Sequence, residues 1–136
     1  MIGTVVVTHG NIGEEMVRAV LSIVREDLPL YSVSLEQNED VEKMRRKIET
    51  AVQRADRGKG VLLLSDMFGG TPSNLCLSFL EEGRIEVVTG VNLPMIIKLA
   101  TLREESSLSD IADFIKRYGQ KNIARASEVL GQGSSD

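Results

Sequence analysis

The 136-residue sequence has one cysteine, one histidine and no tryptophan, and no apolar run approaches the length of a membrane span. A single cysteine, Cys76, excludes an intrachain disulfide, and its apolar neighbours favour simple core packing. One histidine and one cysteine do not supply the spaced ligands of a zinc site, so we predict neither a metal nor a cofactor. No basic segment precedes the short apolar run at the N-terminus, so no signal peptide is predicted. We expect a cytoplasmic protein without direct membrane insertion.

Positive charge is also scarce, since 16 Lys and Arg residues stand against 20 Asp and Glu residues and give a net charge of −4. Phosphate backbones recruit clustered basic side chains, so we predict no nucleic-acid partner. The densest basic stretch, residues 43–47, is flanked by Glu42 and Glu49, and we interpret it as the solvated face of a helix.

Short apolar runs bounded by glycine predict strands, and apolar residues at three- and four-residue spacing predict helices between them. The predicted strands are Val5–Val7, Leu30–Leu35, Val61–Ser65 and Ile85–Gly90. Five helices are predicted, at residues 14–26, at 41–55, from about residue 73, from Pro94, and at 108–119. Asp40 is the predicted cap of the second helix. In the third helix, Leu75, Phe79 and Leu80 are expected to face inward. Strands that alternate with helices are typical of an α/β domain. We therefore expect a single domain with a mostly parallel sheet in the order 2-1-3-4 and helices on both faces.

His9 ends the first strand, and this position directs the functional interpretation. In open parallel sheets, ligands bind beyond the carboxyl ends of the strands, where the strand order reverses. The loops at that edge supply His9, Asp66 after the third strand, and residues 91–92 after the fourth. We expect His9 and Asp66 to face each other across this crevice. A carboxylate bound to one ring nitrogen fixes the imidazole tautomer and makes the other nitrogen a better nucleophile.

The segment Phe68–Pro72 leads into a predicted helix, so its backbone amides are expected to point at an anion. Gly69 and Gly70 permit close approach of the backbone, and Thr71 adds a hydroxyl donor. Together with His9, these features predict a phosphoryl group carried on the histidine. Each feature alone also has an ordinary structural interpretation, such as a loop histidine or a common Gly-Gly turn.

The motifs argue against other chemistries that use histidine. A Ser-His-Asp hydrolase needs a nucleophile elbow such as G-x-S-x-G, which the sequence lacks. The segment Thr8–Gly10 is similar to the Arg-His-Gly motif of phosphoglycerate-mutase-like phosphatases, but threonine replaces the arginine and there is no second histidine. A ligand-binding α/β domain without covalent chemistry remains an alternative.

Three motifs in this order resemble the enzyme IIA domain of the mannose-type (mannose/fructose/sorbose) bacterial sugar phosphotransferase system. They are THG at 8–10, SDMFGGTPSN at 65–74 and GVNLPMI at 90–96. The resemblance covers about residues 1–128, which we assign to a IIA domain, and leaves residues 129–136 as a C-terminal tail. It implies that His9 is the phosphorylated residue, that Asp66 hydrogen-bonds it, and that Thr71 lies at the phosphate site.

The same resemblance implies a phosphotransferase cycle with two protein partners. Phospho-HPr, a small histidine phosphocarrier, would donate to His9, and a separate IIB component would accept the phosphoryl group. The alternative is a regulatory module whose phosphorylation state is read by a partner protein and is not coupled to sugar uptake.

The C-terminal segment is too apolar for a solvated tail, since it contains Ile123, Val129 and Leu130. In the mannose-type IIA family the last strand runs antiparallel and is exchanged between two subunits. By this resemblance we expect residues 122–128 to form such a strand and to pair with an open sheet edge of a second copy, giving a homodimer. The alternative is that this strand folds back onto its own sheet.

Overall fold

The four predicted strands pair into one parallel sheet in the order β2-β1-β3-β4, which confirms the predicted topology. The structure is a computed structural model that describes residues 1–102 and 106–135. The strands are β1 Gly3–His9, β2 Leu30–Leu35, β3 Val61–Ser65 and β4 Ile85–Thr89. Six helices occur in the described ranges: α1 Ile12–Ile23, α2 Val41–Ala55, α3 Thr71–Ser78, α4 Leu93–Thr101, α5 Leu108–Lys121 and α6 Ala126–Ser135.

Helices cover both faces of the sheet, as predicted. Successive side chains of a strand point to opposite faces, so Val6 and Leu64 belong to one apolar cluster and Val5 and Leu63 to another. The first cluster packs against α1, α4 and α5, and the second packs against α2 and α3. The central strands β1 and β3 are therefore buried on both faces, which explains why they consist of continuous apolar runs.

Two local predictions differ from the structure. Leu80 was expected to face inward, but α3 ends at Ser78 and the Leu80 side chain is 54% exposed. Asp40 occupies the N-cap position of α2, yet its side chain makes no hydrogen bond to the helix. Among the described helices, none combines the length and the apolar character that crossing a membrane requires.

The predicted C-terminal strand is wrong in this structure, because residues 122–128 form no strand. Asn122 ends α5, and α6 begins at Ala126. Alanine, glutamate and leucine favour a helix, and Glu128 lies in the first turn, where its charge complements the helix dipole. Arg125 also pairs with Glu128 at 2.8 Å, three residues apart. The apolar residues that suggested a strand remain exposed, since Leu130 is 77% accessible.

Candidate functional site

The parallel pairing of β1 and β3 brings His9 and Asp66 together. Val7 is in register with Ser65, so both strands end at the same edge of the sheet. His9 Nδ1 lies 2.8 Å from Asp66 Oδ2, and the His9 backbone N–H donates to the same oxygen at 3.0 Å. One carboxylate oxygen therefore holds both the backbone and the ring of the histidine.

The protonation state of Asp66 sets the direction of this hydrogen bond. Burial raises the pKa of Asp66, but hydrogen bonds from the ring and the backbone of His9 outweigh it, so the pKa falls below its usual range. An ionised carboxylate only accepts hydrogen bonds, so Nδ1 of the ring is the donor. When the ring carries only this proton, Nε2 has the lone pair. The imidazole is 49% exposed, so a partner has access to the ring.

Gly70 lies against this free nitrogen. A Cβ atom added at Gly70 would stand 3.4 Å from His9 Nε2 and 3.5 Å from Cε1. Gly70 is the N-cap of α3 and has φ +85°, a conformation that residues with a side chain rarely adopt. The sequence thus places glycine where the backbone must both turn and approach the histidine. The amides at the start of α3, with the helix dipole behind them, are suited to an anion bound on Nε2.

The other predicted phosphate-site residues adjoin Gly70. Thr71 is the first residue of α3, is exposed, and lines the same open cleft as His9, which has a volume of about 470 Å³. Gly69 precedes the N-cap with φ +87° and is half-buried. Glu36 and Gln37, from the loop after β2, also line the cleft.

Thr8 is a site residue whose role the sequence interpretation missed. Its side chain is fully buried, and Oγ1 donates to the Gly10 carbonyl at 3.1 Å and accepts from the Gly13 N–H at 2.8 Å. These bonds tie the end of β1 to the first turn of α1, on either side of His9. A threonine that ends an apolar run just before a helix start is a signal for such a bridge.

Two other residues singled out in the sequence lie outside the site. Asn92 caps α4, with Oδ1 accepting from the Met95 N–H at 3.2 Å and Nδ2 donating to the Gly119 carbonyl at 3.0 Å. Burial raises the pKa of the Cys76 thiol to about 12, so this side chain is a neutral core group and not a nucleophile. Within the described residues, no group of His, Cys, Asp and Glu is arranged to hold a metal ion.

The fold and the site together define an α/β protein with a paired histidine and aspartate at the carboxyl edge of a parallel sheet. The family model described as "PTS system fructose IIA component" matches residues 3–116. The chain therefore belongs to the mannose-type family of IIA components of the bacterial phosphotransferase system. This confirms the resemblance found in the motifs.

Individual relatives agree with this assignment. The chain is 30% identical over 131 residues to the "PTS system fructose-specific EIIA component" of Bacillus subtilis, covering 96% of this chain and 90% of the relative. It is 27% identical to the "PTS system mannose-specific EIIAB component" of Escherichia coli, covering 90% of this chain but only 38% of that longer protein. The mannose/sorbose-specific IIA subunit from Enterococcus faecalis has a similar structure, with TM-score 0.81, 25% identity, and 91% and 93% of the two chains covered.

Proposed function

We propose that this protein is a phosphocarrier of the sugar phosphotransferase system that accepts a phosphoryl group on Nε2 of His9. The observation that carries the proposal is the 2.8 Å hydrogen bond between His9 Nδ1 and Asp66 Oδ2, which leaves Nε2 as the nucleophile. Gly70 lies beside that nitrogen, and together with its neighbours Gly69 and Thr71 it is the proposed anion-binding segment at the start of α3.

The transfer step is an in-line exchange between two imidazoles. The Nε2 lone pair of His9 attacks phosphorus, and the N–P bond of the donor phosphohistidine breaks. The electron pair of that bond returns to the donor ring, which leaves as a neutral imidazole when its other nitrogen is protonated. The Nδ1 proton stays on His9, so the phosphorylated ring is an imidazolium beside the Asp66 carboxylate. That carboxylate stabilises the positive ring electrostatically, and the reverse step passes the phosphoryl group to the acceptor.

HPr is the proposed donor, and a separate IIB component is the proposed acceptor. Both must approach an exposed histidine, and the segments that follow β1 and β3 carry large exposed apolar side chains: Phe68 is 74% exposed, Met67 54% and Ile12 55%. Apolar side chains exposed together beside a reactive group are typical of a protein-docking surface. The location that fits these partners is the cytoplasm. A homodimer stays a prediction from the family resemblance.

Phosphorylation with purified components tests this function. The protein would be incubated with phosphoenolpyruvate, enzyme I and HPr, and intact-mass spectrometry would count the added phosphoryl groups. We expect one acid-labile phosphoryl group per chain, with tandem mass spectrometry placing it on His9. His9→Gln should fold normally and accept none.

Omitting HPr is the control for specific transfer, since enzyme I alone should leave the mass unchanged. A phosphoryl group on the His9→Gln variant, or none on the wild-type protein after HPr itself is fully phosphorylated, would contradict the proposal.

A further inference from the structure

The outer edge of β2 offers unpaired backbone groups. The Thr4 N–H donates to the Pro29 carbonyl at 2.8 Å, and the Gly10 N–H donates to the Leu35 carbonyl at 3.0 Å. Odd-numbered residues of this segment therefore direct their backbone groups toward β1, and even-numbered residues direct theirs away from it. In residues 1–102 and 106–135 no strand lies on that outer side, because β2 is the first strand of the sheet.

Lys47 covers one end of the outer edge of β2. Its ammonium donates to the outward carbonyl of Ser34 and binds the Glu39 carboxylate at 2.8 Å and 3.1 Å. A lysine over an edge carbonyl discourages pairing with an arbitrary strand, because the incoming N–H has to displace it. The N–H and C=O of Ser32, the other outward residue near the middle of β2, have no such cover among the described residues.

Basic side chains of α2 overhang the same edge. Lys43, Arg46, Lys47 and Arg54 lie on one helix face and, with the outer side of β2, line a groove of about 690 Å³, which we call the β2 groove. Glu39 pairs with the two lysines, at 3.8 Å from Lys43 and 2.8 Å from Lys47. Arg46 and Arg54 have no ion-pair partner within the described residues. This groove is therefore positive on a protein whose net charge is −4.

The positive charge of the β2 groove indicates which kind of chain segment it can bind. If two copies of the chain paired through β2, Arg46 and Arg54 of one copy would face the arginines of the other copy. Like-charge repulsion opposes this pairing. A strand that carries carboxylates would instead neutralise the two arginines. It would also offer Lys47 a new partner when the ammonium leaves the Ser34 carbonyl. The groove thus combines unpaired backbone groups, which can bind an added strand, with positive charges, which favour a strand that carries carboxylates. Recognition by strand addition uses backbone pairing for affinity and side-chain contacts for specificity.

We propose that the β2 groove binds an extended acidic segment of a partner protein, which adds a strand to the sheet beside β2. Its backbone pairs with Ser32 and Ser34, and its carboxylates pair with Arg46 and Arg54. The two arginines are eight positions apart in the helix, a rise of about 12 Å that matches about four residues of a strand. Carboxylates four positions apart, on the same face of the added strand, fit this spacing. The site is independent of the chemistry at His9.

The probe is a fluorescein-labelled peptide, about nine residues long, of alternating glutamate and threonine. Fluorescence anisotropy at low salt measures its binding to the full-length protein, and ¹⁵N chemical shifts of the protein locate it. We expect saturable binding and the largest shifts at Ser32 and Ser34. The double variant Arg46→Glu/Arg54→Glu should bind at least about ten-fold more weakly, because two attractions become repulsions.

Two further variants separate strand addition from general attraction of an anion. Ser32→Pro removes an N–H that points away from β1, so no bond of the native sheet is lost, yet binding should weaken by a comparable factor. Arg25→Glu changes an exposed arginine outside the groove and should leave binding unchanged.

Several outcomes would overturn the proposal. They are equal binding of the peptide by the double variant, unchanged binding by a folded Ser32→Pro variant, and shifts confined to the cleft beside His9. Equal binding of the matching lysine–threonine peptide, or displacement of the probe by an RNA oligonucleotide of equal length at equal concentration, would also overturn it, since neither carries carboxylates on a pairing backbone. None of these results depends on phosphorylation, so failure here leaves the proposed carrier function separately testable.

Discussion

His9 and Asp66 are 57 positions apart in the sequence, yet Nδ1 of the ring lies 2.8 Å from Oδ2 of the carboxylate. The sheet produces this contact, because β1 and β3 are adjacent, parallel and in register from Gly3 and Val61 to Val7 and Ser65. The chain leaves both strands at the same edge. A second bond, from the His9 backbone N–H to Oδ2, fixes the carboxylate relative to the strand as well as to the ring.

We predict that Asp66→Asn slows phosphoryl transfer from HPr by about 10² or more, the usual scale for a group that positions and stabilises a reacting side chain. Asparagine keeps the shape of the side chain but loses the charge that stabilises a phosphorylated imidazolium. Rapid-quench kinetics with phospho-HPr measure the effect. Asp56→Asn, at the C-cap of α2, is the matched control and should transfer at the wild-type rate. Equal rates for Asp66→Asn and the wild type would reduce Asp66 to a structural role.

The same carboxylate predicts a dependence of stability on pH. The folded-state pKa of Asp66 lies below the ordinary range of an aspartate, so its contribution to the free energy of unfolding is fully present above the unfolded pKa. That contribution is lost as the pH falls through the folded pKa. Urea unfolding between pH 7 and pH 3 should therefore show a smaller loss of stability for Asp66→Asn than for the wild type. Parallel losses in the two proteins would contradict the ionised, hydrogen-bonded state.

Comparing Gly70→Ala with Gly58→Ala separates two effects of a new methyl group, namely its contact with His9 and the backbone strain at a positive φ. The new methyl group would lie 3.4 Å from Nε2, at the proposed position of the phosphoryl group. Gly58 also has a positive φ, +88°, and open space around its Cβ position, so Gly58→Ala strains the backbone without making that contact. A side chain at a positive φ should cost each variant roughly 1–3 kcal/mol of stability. Only Gly70→Ala should slow transfer, by about ten-fold or more; similar transfer rates for the two variants would show that the contact with His9 is unimportant.

Much of this arrangement could be predicted because local patterns and general topology rules agree. Continuous apolar runs identified the buried strands, and the switch in strand order placed His9 beside Asp66. The C-terminal segment could not be predicted in the same way, because its apolar residues fit either a strand edge or an exposed helix. Helix propensity and the Arg125–Glu128 pair favour α6 in the single chain.

The β2 groove and the role of Thr8 were also hidden from the sequence. Residues 43–47 were interpreted as a solvated helix face, and only the packing of α2 on the sheet shows that its basic side chains overhang an open edge. Likewise, a buried threonine hydroxyl becomes recognisable as a bridge only when both of its partners are known.

The last prediction concerns Thr8, whose hydroxyl joins the backbone on the two sides of His9. Thr8→Val keeps the volume of the side chain but leaves the Gly13 N–H and the Gly10 carbonyl without their partner, at a cost of about 1–3 kcal/mol. We expect slower transfer from phospho-HPr at a temperature where the variant is fully folded, and recovery of the rate in Thr8→Ser, which retains the hydroxyl. Thr4→Val is the control, since it makes the same change at a buried threonine at the far end of β1. If Thr8→Val loses stability but transfers at the wild-type rate, the hydroxyl stabilises the loop without positioning the histidine.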